Sequence, residues 1–419
     1  MIVEITSSLV ACGVLAFAHT NKHLSWNDAQ KIQRIFNNAN LYVKENGKQR
    51  NIRLYTKRKI KGGTEYIFQL PYGLSVKDIE ARKHVIENGL NTKTFSLDDL
   101  KDINWKKDII PQLRALFHPS KAQKEVEFSF DGMLKIKVYD KPLPSSIEYN
   151  DAMRAIDWRV PVGLNREKVI RHDFEKRPHI VVAGATGFGK SQYLKLLITS
   201  LIQSKAKHVT FSLVDLKGGT AFQRFKDLDQ TKYFARDPSE ARDTLELVQQ
   251  EMDAKLREVV NGGFEDVAEA GEKNRHFVMI DEAADLDKES LAIVTDIARR
   301  GRAAGYRLVY ATQYPTNETL PSQVRQNIGG RVSFILETAA ASLATLDEKG
   351  AEELPEIPGR AIYKRVKKET VQCPYISNEQ IKERITPHVN MRGRGKDEQV
   401  SRTEKGEHSF VIEETGLSD

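Results

Sequence analysis

A glycine-rich loop that ends in a lysine and a serine has the clearest chemistry in the chain. It occupies residues 184–192, follows an apolar run, precedes a helical pattern and fits GxxxxGK[ST]. In this pattern backbone N–H groups surround phosphates at a helix N-terminus, the lysine reaches the β and γ phosphate oxygens, and the hydroxyl binds Mg²⁺. The predicted cofactors are therefore ATP and Mg²⁺. The predicted nucleotide-binding residues are Gly184, Ala185, Thr186, Gly187, Phe188, Gly189, Lys190, Ser191 and Gln192.

Two carboxylates follow a second apolar run at residues 276–280. Asp281 is predicted to hold Mg²⁺ together with Ser191, and Glu282 is predicted to polarise the attacking water. A water-activating glutamate is typical of an ATPase rather than of a kinase, which needs an acceptor hydroxyl. An Asp-Glu pair alone is more often a helix cap, so it is the combination with the glycine loop that favours catalysis.

A polar amide ends a further strand pattern at residues 308–312. Gln313 is predicted to lie at the same sheet edge as the two carboxylates, where it senses the γ-phosphate or orients water. Asp215 and Lys217 follow another strand pattern, and an ordinary turn is the preferred interpretation from these residues alone.

Strand and helix patterns alternate around these residues, which predicts an α/β fold with a parallel sheet. Short apolar runs predict strands at residues 180–183, 209–214, 277–280, 308–311 and 332–336. Leucine and isoleucine at i, i+3, i+4 and i+7 from Leu194 predict a helix directly after the glycine loop. Asp237 and Pro238 begin a second helix, which is predicted to end at residues 261–263.

The chain before this region has a different pattern, which predicts a small α+β domain at residues 21–150. Two hairpins are expected, one across residues 62–63 and one across residues 131–132. Between them, Ser75 and Asp78 begin a helical pattern that residues 88–89 end. A proline- and serine-containing linker at residues 142–146 separates this domain from the larger one, predicted at residues 151–385. The polar residues 386–419 are predicted to form a disordered tail.

An apolar segment opens the chain, and residues 1–20 are predicted to form a membrane anchor. Residues 5–17 carry no charge, but at ~1.5 Å per residue a helix of this length is shorter than the roughly 30 Å hydrocarbon core. A buried core helix is the alternative. With Lys22 and Lys31 after the segment, an anchored chain keeps its larger domain in the cytoplasm.

Composition adds only weak constraints. The 65 basic and 58 acidic residues give a formal net charge of +7, which suits a polyanionic partner without identifying one. Cys12 and Cys373 lie far apart without metal-ligand spacing, so the sequence indicates neither a disulfide framework nor a zinc site.

Five segments carry motifs that occur in the same order in one known family: 177–184, 213–217, 302–305, 308–313 and 327–334. Through them the larger domain resembles the FtsK/SpoIIIE family of DNA translocases over residues 151–375. Two departures from the family matter: the tail is too short for a sequence-reading winged helix, and the chain has one short apolar segment. The compact layout is similar to translocases of conjugative plasmids, integrative elements or phages.

This resemblance implies a RecA-like P-loop motor of the ASCE type that hydrolyses ATP. It implies a homo-oligomeric ring of six copies that moves double-stranded DNA in conjugative transfer or segregation, at the cell membrane or in the cytoplasm. It also implies an arginine that completes the site of the next subunit, with Arg302 the better match and Arg331 the second. A solvated helix end is the alternative for Arg302. Lys217 is a candidate DNA contact, and a solvated lysine is the preferred interpretation.

Two other functions remain open at this stage. One is a motor of the same ATPase class that moves single-stranded DNA or protein. The other is a non-motor membrane interaction protein that uses ATP binding as a switch, for which Glu282 and Gln313 would be superfluous.

Overall fold

The computed structural model describes residues 27–91 and 123–389, and the chain divides into two compact units, Met1–Pro142 and Leu143–Asp419. The predicted anchor at residues 1–20 lies outside the described residues, as does the predicted tail from residue 390 onward. Val389, near the start of that tail, forms a β-bridge with Leu228. Among the described residues, no helix combines the length and the apolar character needed to cross a membrane.

The N-terminal unit packs its helices against an antiparallel sheet. The sheet has four strands in the order β3-β4-β6-β5, and β1 and β2 form a separate hairpin. Its strands are Tyr42–Glu45 (β1), Lys48–Asn51 (β2), Arg53–Ile60 (β3), Gly63–Gln69 (β4), Glu125–Phe130 (β5) and Leu134–Tyr139 (β6). Its helices are Asp28–Asn38 (α1), Val76–Glu80 (α2) and Lys83–Asn91 (α3).

The two predicted hairpins are confirmed, since β3 pairs with β4 and β5 pairs with β6, both antiparallel. The single helix predicted from Ser75 to residues 88–89 is wrong. Ser75 and Asp78 do form the predicted reciprocal cap, but the structure has two helices, and α3 continues through Gly89. A Cβ at Gly89 would lie 2.5 Å from Cδ1 of Ile35, so this glycine allows α1 and α3 to pack closely instead of ending a helix.

The larger unit contains a mixed sheet between two layers of helices. Its strands are Arg159–Leu164 (β7), Val169–Asp173 (β8), Ile180–Ala183 (β9), Val209–Asp215 (β10), Thr231–Ala235 (β11), Arg275–Asp281 (β12), Tyr306–Thr312 (β13), Gly330–Phe334 (β14), Arg360–Lys364 (β15) and Lys368–Gln372 (β16). Its helices are Lys190–Lys205 (α4), Pro238–Asn261 (α5), Lys288–Arg300 (α6), Ser322–Asn327 (α7), Ala339–Leu346 (α8) and Asn378–Ile385 (α9).

Ten strands of this unit form one sheet in the order β11-β10-β12-β13-β9-β14-β15-β16-β7-β8. Neighbouring strands from β11 to β14 pair in parallel, and those from β14 to β8 pair antiparallel. Alternate residues of β9 point to opposite faces. Ile180 and Val182 join one core cluster, and Val181 joins the other. Helices therefore cover both faces of the parallel part, as in RecA-like P-loop folds.

The predicted parallel strands correspond to β9, β10, β12, β13 and β14, and the helix predicted after Asp237 is α5, with the Asp237 carboxylate as its N-cap. The antiparallel strands β7, β8, β15 and β16 were not predicted. Their parallel neighbours are continuous apolar runs, whereas these strands carry charged residues such as Arg171 and Glu369. They form two hairpins, β7–β8 and β15–β16, and β16 pairs with β7, which lies far away in the chain.

Candidate active site

The glycine loop connects the end of β9 to the start of α4, and at two of its positions the structure favours glycine over any residue with a Cβ. Gly189 is the N-cap of α4 with φ of +116°, a left-handed conformation that favours glycine. At Gly184, a Cβ would lie 2.6 Å from Cβ of Phe334 on β14. The loop thus presents the N-terminus of the 16-residue helix α4 at the carboxyl edge of the parallel sheet, where an anion is stabilised.

Lys190, Ser191 and Asp281 lie together at this edge. The Lys190 ammonium is buried, forms an ion pair with Oδ1 of Asp281 and lies 3.5 Å from Oε2 of Glu282. Ser191 donates its hydroxyl to Oδ2 of Asp281 over 3.4 Å. The first turn of α4 and the last residue of β12 are therefore in direct contact, although 90 residues separate Ser191 from Asp281.

Glu282 is buried and has an unusual backbone conformation. Its φ is +68°, in the left-handed region that non-glycine residues rarely adopt. Its Oε1 accepts hydrogen bonds from the backbone N–H of Gln313 at 2.9 Å and from the hydroxyl of Thr312 at 3.1 Å. Backbone strain of this kind persists where the surroundings hold it, and it concentrates at functional sites.

The surroundings of Glu282 keep its side chain ionised. Burial acts to raise its pKa, but the N–H of Gln313 and the ammonium groups of Lys190 and Lys217 act in the opposite direction. The net result is a pKa below the usual value for glutamate. A carboxylate that stays charged in a buried place can polarise a water molecule or accept a proton from it.

Gln313 connects this carboxylate to the glycine loop. Its backbone binds Glu282, and its side-chain Oε1 accepts a hydrogen bond of 2.8 Å from the hydroxyl of Thr186. Because β13 lies between β9 and β12 in the sheet, the residue after β13 is positioned to contact both. Gln192 lies one position beyond Ser191 in the first turn of α4 and is partly buried.

Lys217 belongs to the same cluster. Its Nζ lies 3.0 Å from Oε2 of Glu282, and its side chain is 38% exposed. The loop that carries it is held by Asp215, whose Oδ2 accepts hydrogen bonds from the N–H groups of Ala221 at 2.6 Å and Phe222 at 3.1 Å. From sequence, Lys217 was a candidate DNA contact or a solvated lysine, and its contact with Glu282 was not anticipated. Its position two residues after the end of a parallel strand was the available signal.

Arg302 lies at the opposite edge of the sheet. It is exposed in the turn between α6 and β13, and its carbonyl accepts a hydrogen bond of 3.1 Å from the N–H of Gly305. Since β13 runs from Tyr306 to Thr312 at about 3.3 Å per residue, Arg302 is on the order of 20 Å from the Glu282 cluster of its own chain.

Arg331 is also outside the cluster. It lies near the start of β14, where its guanidinium forms an ion pair with Asp347 and donates to the carbonyl of Arg325 over 3.2 Å. Its side chain is only 13% exposed. The structure therefore brings Lys190, Ser191, Asp281, Glu282 and Gln313 together and leaves the two arginines apart from them.

The hydrogen-bond donors and oxygen ligands of this cluster fit a nucleoside triphosphate with Mg²⁺. The glycine loop and Lys190 supply backbone and ammonium donors for phosphate oxygens. Ser191 and Asp281 supply one hydroxyl and one carboxylate oxygen, which are the hard ligands that Mg²⁺ binds together with waters and phosphates. Among the residues that the structure describes, no cluster of three or more His, Cys, Asp or Glu side chains is arranged to hold a metal by itself.

Fold and site together define a RecA-like P-loop ATPase. The sequence model of the FtsK/SpoIIIE family matches residues 148–360, which is half of the chain. The chain belongs to the FtsK/SpoIIIE family.

Relatives with established names are DNA translocases. The chain is 30% identical over 245 residues to DNA translocase FtsK of Chlorobaculum tepidum, covering 52% of this chain and 30% of that protein. It is 31% identical over 216 residues to DNA translocase FtsK of Caldanaerobacter subterraneus, covering 48% and 30%. The match thus spans less than a third of the length of these relatives.

Two solved structures share the fold. The pCW3 conjugation coupling protein TcpA, in a monomer form with ATPγS, has a TM-score of 0.55 at 20% identity, covering 85% of this chain and 98% of that one. ATPases 2 and 3 of EssC from Geobacillus thermodenitrificans have a TM-score of 0.52 at 16% identity, covering 62% and 53%. At these identities the likeness establishes the fold alone.

Proposed function

We propose that this protein is a motor that hydrolyses ATP to move double-stranded DNA through a ring of identical subunits. The observation that carries the proposal is the contact of Glu282 with Gln313 and its proximity to Lys190, which places an ionised carboxylate beside the glycine loop. Membership of the FtsK/SpoIIIE family and similarity to DNA translocases support DNA as the cargo. The likeness to TcpA, a conjugation coupling protein, agrees with a role in conjugative transfer.

Each residue of the cluster has a distinct task in this proposal. Lys190 binds the β and γ phosphate oxygens, and Ser191 and Asp281 hold Mg²⁺, which supplies charge neutralisation at the phosphates. Glu282 orients the attacking water and accepts its proton. Gln313 links the position of Glu282 to that of the glycine loop through Thr186, so a change at the phosphates can reach the carboxylate.

The ring is proposed because Arg302 and Arg331, which the family resemblance offers as the arginine that completes a neighbouring site, lie outside the glycine-loop cluster of their own chain. Arg302 is exposed and lies roughly 20 Å away along β13. An exposed guanidinium at a subunit edge can complete the site of a neighbouring copy, and a ring of six copies would give every site such a partner. Phosphoryl-transfer enzymes use arginines supplied in trans in this way.

We further propose that residues 1–20 attach the motor to the cell membrane, with the larger unit in the cytoplasm. The uncharged run at residues 5–17 supports this. Deletion of residues 1–19 should yield an active ATPase that no longer sediments with membranes. Full-length protein that remains soluble without detergent would argue against the anchor.

The decisive experiment measures ATP hydrolysis by the full-length protein against linear duplex DNA at several salt concentrations. Duplex DNA should stimulate turnover, and the stimulation should weaken with salt because phosphate contacts release counterions. Single-stranded DNA and an unfolded polypeptide serve as alternative cargoes. Stronger stimulation by either one would assign the motor another cargo, and slow turnover unaffected by all three would indicate an ATP-dependent switch.

A further inference from the structure

Basic residues are concentrated in one short segment of the N-terminal unit. Residues 44–61 contain eight basic residues and one acidic residue, a net charge of +7, which equals the net charge of the whole 419-residue chain. The remaining 57 basic and 57 acidic residues therefore balance. We call residues 44–61 the basic ribbon. Its basic residues are Lys44, Lys48, Arg50, Arg53, Lys57, Arg58, Lys59 and Lys61.

The ribbon covers the end of β1, all of β2 and the strand β3, which lies at the edge of the four-stranded sheet. All eight basic residues are exposed. Arg50 lies 3.3 Å from Glu45, and Arg58 forms an ion pair with Glu65, so acidic neighbours offset part of the charge. The rest of the positive charge lies on the exposed surface of the β1–β2 hairpin and of β3.

Protection of a sheet edge does not account for this much charge. A lysine or two on an edge strand prevents pairing with other sheets, which is a common device. Cations this close together repel one another, which costs stability unless anions offset the repulsion, and Glu45 and Glu65 offset only part of it. The excess charge therefore points to a polyanionic partner.

The other side chains of the ribbon favour nucleic acid over a membrane surface. Ile52 is buried, while Gln49 and Thr56 are exposed hydrogen-bonding groups of the kind that contact phosphate and sugar. Tyr55, 71% exposed, adds a ring and a hydroxyl. A segment that lies in a bilayer interface needs an apolar face as well as cations, and the exposed residues of the ribbon do not form one.

We propose that the basic ribbon binds the phosphate backbone of duplex DNA without reading its sequence. The proposal rests on the proposed function, since it assumes a DNA substrate. It also extends that function to a new part of the molecule, because the family match begins at residue 148 and the ribbon ends at residue 61. A second contact with DNA, outside the motor, would raise the local concentration of substrate.

The test compares two triple variants of the full-length protein in binding to a fluorescent linear duplex at several salt concentrations. In the ribbon variant, Arg53→Gln, Lys57→Gln and Lys59→Gln remove three charges. In the matched control, three exposed cations of the same unit are changed, as Lys77→Gln, Arg82→Gln and Lys83→Gln. The slope of log K against log salt is negative, and every phosphate that the protein no longer neutralises reduces its magnitude by about 0.9. The magnitude should therefore fall by about 3 in the ribbon variant and match wild type in the control.

The expected affinity loss for the ribbon variant is on the order of 10- to 100-fold at physiological salt. If circular dichroism shows that this variant does not fold, Lys44→Gln with Lys48→Gln in the exposed hairpin tests the same surface and should reduce the magnitude of the slope by about 2. Both ribbon variants should keep wild-type binding to vesicles that contain phosphatidylglycerol.

Several outcomes would overturn the inference. An unchanged salt slope, in protein whose ATPase is stimulated by duplex DNA, removes the ribbon from DNA binding and leaves the proposed function intact. Loss of vesicle binding with unchanged DNA binding identifies a membrane contact instead. Equal losses of affinity for duplex DNA in the ribbon and control variants would show that total charge, not the ribbon, determines binding. Wild-type protein that neither binds duplex DNA nor is stimulated by it contradicts both the ribbon and the proposed function.

Discussion

The glycine-loop edge of the larger unit and the basic ribbon of the N-terminal unit use charge in opposite ways. At the glycine loop, Lys190, Asp281 and Glu282 are each no more than 4% exposed as side chains, and the ammonium lies within ion-pair distance of both carboxylates. In the ribbon, cations are exposed and outnumber acidic residues eight to one. Buried charges act over short distances and depend on geometry, whereas exposed charges act over a Debye length and depend on salt.

This contrast predicts how each region responds to change. Substitution at the glycine loop should have large effects that depend on which group is removed, because each group has its own partners and task. Substitution in the ribbon should have graded effects that depend on how many charges are removed. Within the larger unit, the expected effects decrease from the loss of nucleotide binding at Lys190, through the loss of turnover at Glu282 and Arg302, to the pH shift at Lys217.

The largest effect is expected for Lys190, and Glu282, the other buried group beside the loop, should respond differently. Lys190→Ala should abolish tight nucleotide binding, because it removes the cation for the phosphates. Glu282→Gln should retain binding and lower the rate of hydrolysis by about 10²- to 10⁴-fold, because it removes only the base for water. Binding of a fluorescent ATP analogue and steady-state turnover measure the two effects. An equal loss of nucleotide binding in both variants would contradict the separate roles.

Arg302→Ala tests whether the active site extends across a subunit boundary. The variant should bind ATP and hydrolyse it about 10³- to 10⁵-fold more slowly, since the guanidinium stabilises charge in the transition state. Mixing it with Lys190→Ala should restore part of the activity, because an intact arginine then faces an intact glycine loop.

Arg299→Ala is the matched control for this experiment. Arg299 lies three positions away, in the last turn of α6, and pairs with Asp296 at 2.8 Å. Its loss should leave turnover near wild type. A mixture of Arg302→Ala and Lys190→Ala that stays inactive despite co-assembly would reject Arg302, and Arg331 would be tested next.

A smaller effect is expected from substitution of Lys217, whose ammonium lies 3.0 Å from the carboxylate of Glu282. The ammonium of Lys217 is one of the groups that lower the pKa of Glu282. Lys217→Met should therefore raise that pKa, and the acid limb of the pH–rate profile should move to higher pH, because the active form is the carboxylate. Lys217→Arg keeps the charge and should leave the limb in place. An acid limb that is identical in all three proteins would show that Lys217 does not control the ionisation of Glu282.

The same pKa shift affects folding. Because the pKa of Glu282 is lower in the folded protein than in the unfolded chain, its ion pairs stabilise the fold above the unfolded pKa. This contribution disappears as the pH falls through the folded pKa. Lys217→Met should reduce this contribution to the free energy of unfolding. The difference in free energy of unfolding between wild type and variant should therefore shrink as the solution is made more acidic. Urea denaturation at a series of pH values measures this difference.

The sequence by itself determined the parts of the site that are local. The glycine loop requires positive φ and a helix N-terminus within a few residues, so its pattern in the chain specifies both its shape and its ligand. The strands β9, β12 and β13 are buried on both faces, so each contains a continuous apolar run in the sequence. Such a run predicts a buried strand from the sequence alone. The positions of Asp281 and Gln313 at the carboxyl edge follow from the parallel direction of these strands.

Only the tertiary structure decided which of these residues touch. The contact between Lys217 and Glu282 depends on β10 and β12 being neighbours in the sheet, and no pattern within either segment specifies strand order. Gly89 was likewise predicted to end a helix, but it lies inside α3. The prediction failed because the reason for a glycine there is the close approach of Ile35, a distant residue that the local sequence does not reveal. Local conformation is encoded in adjacent residues, whereas contacts between distant segments are selected by the packing of the whole unit.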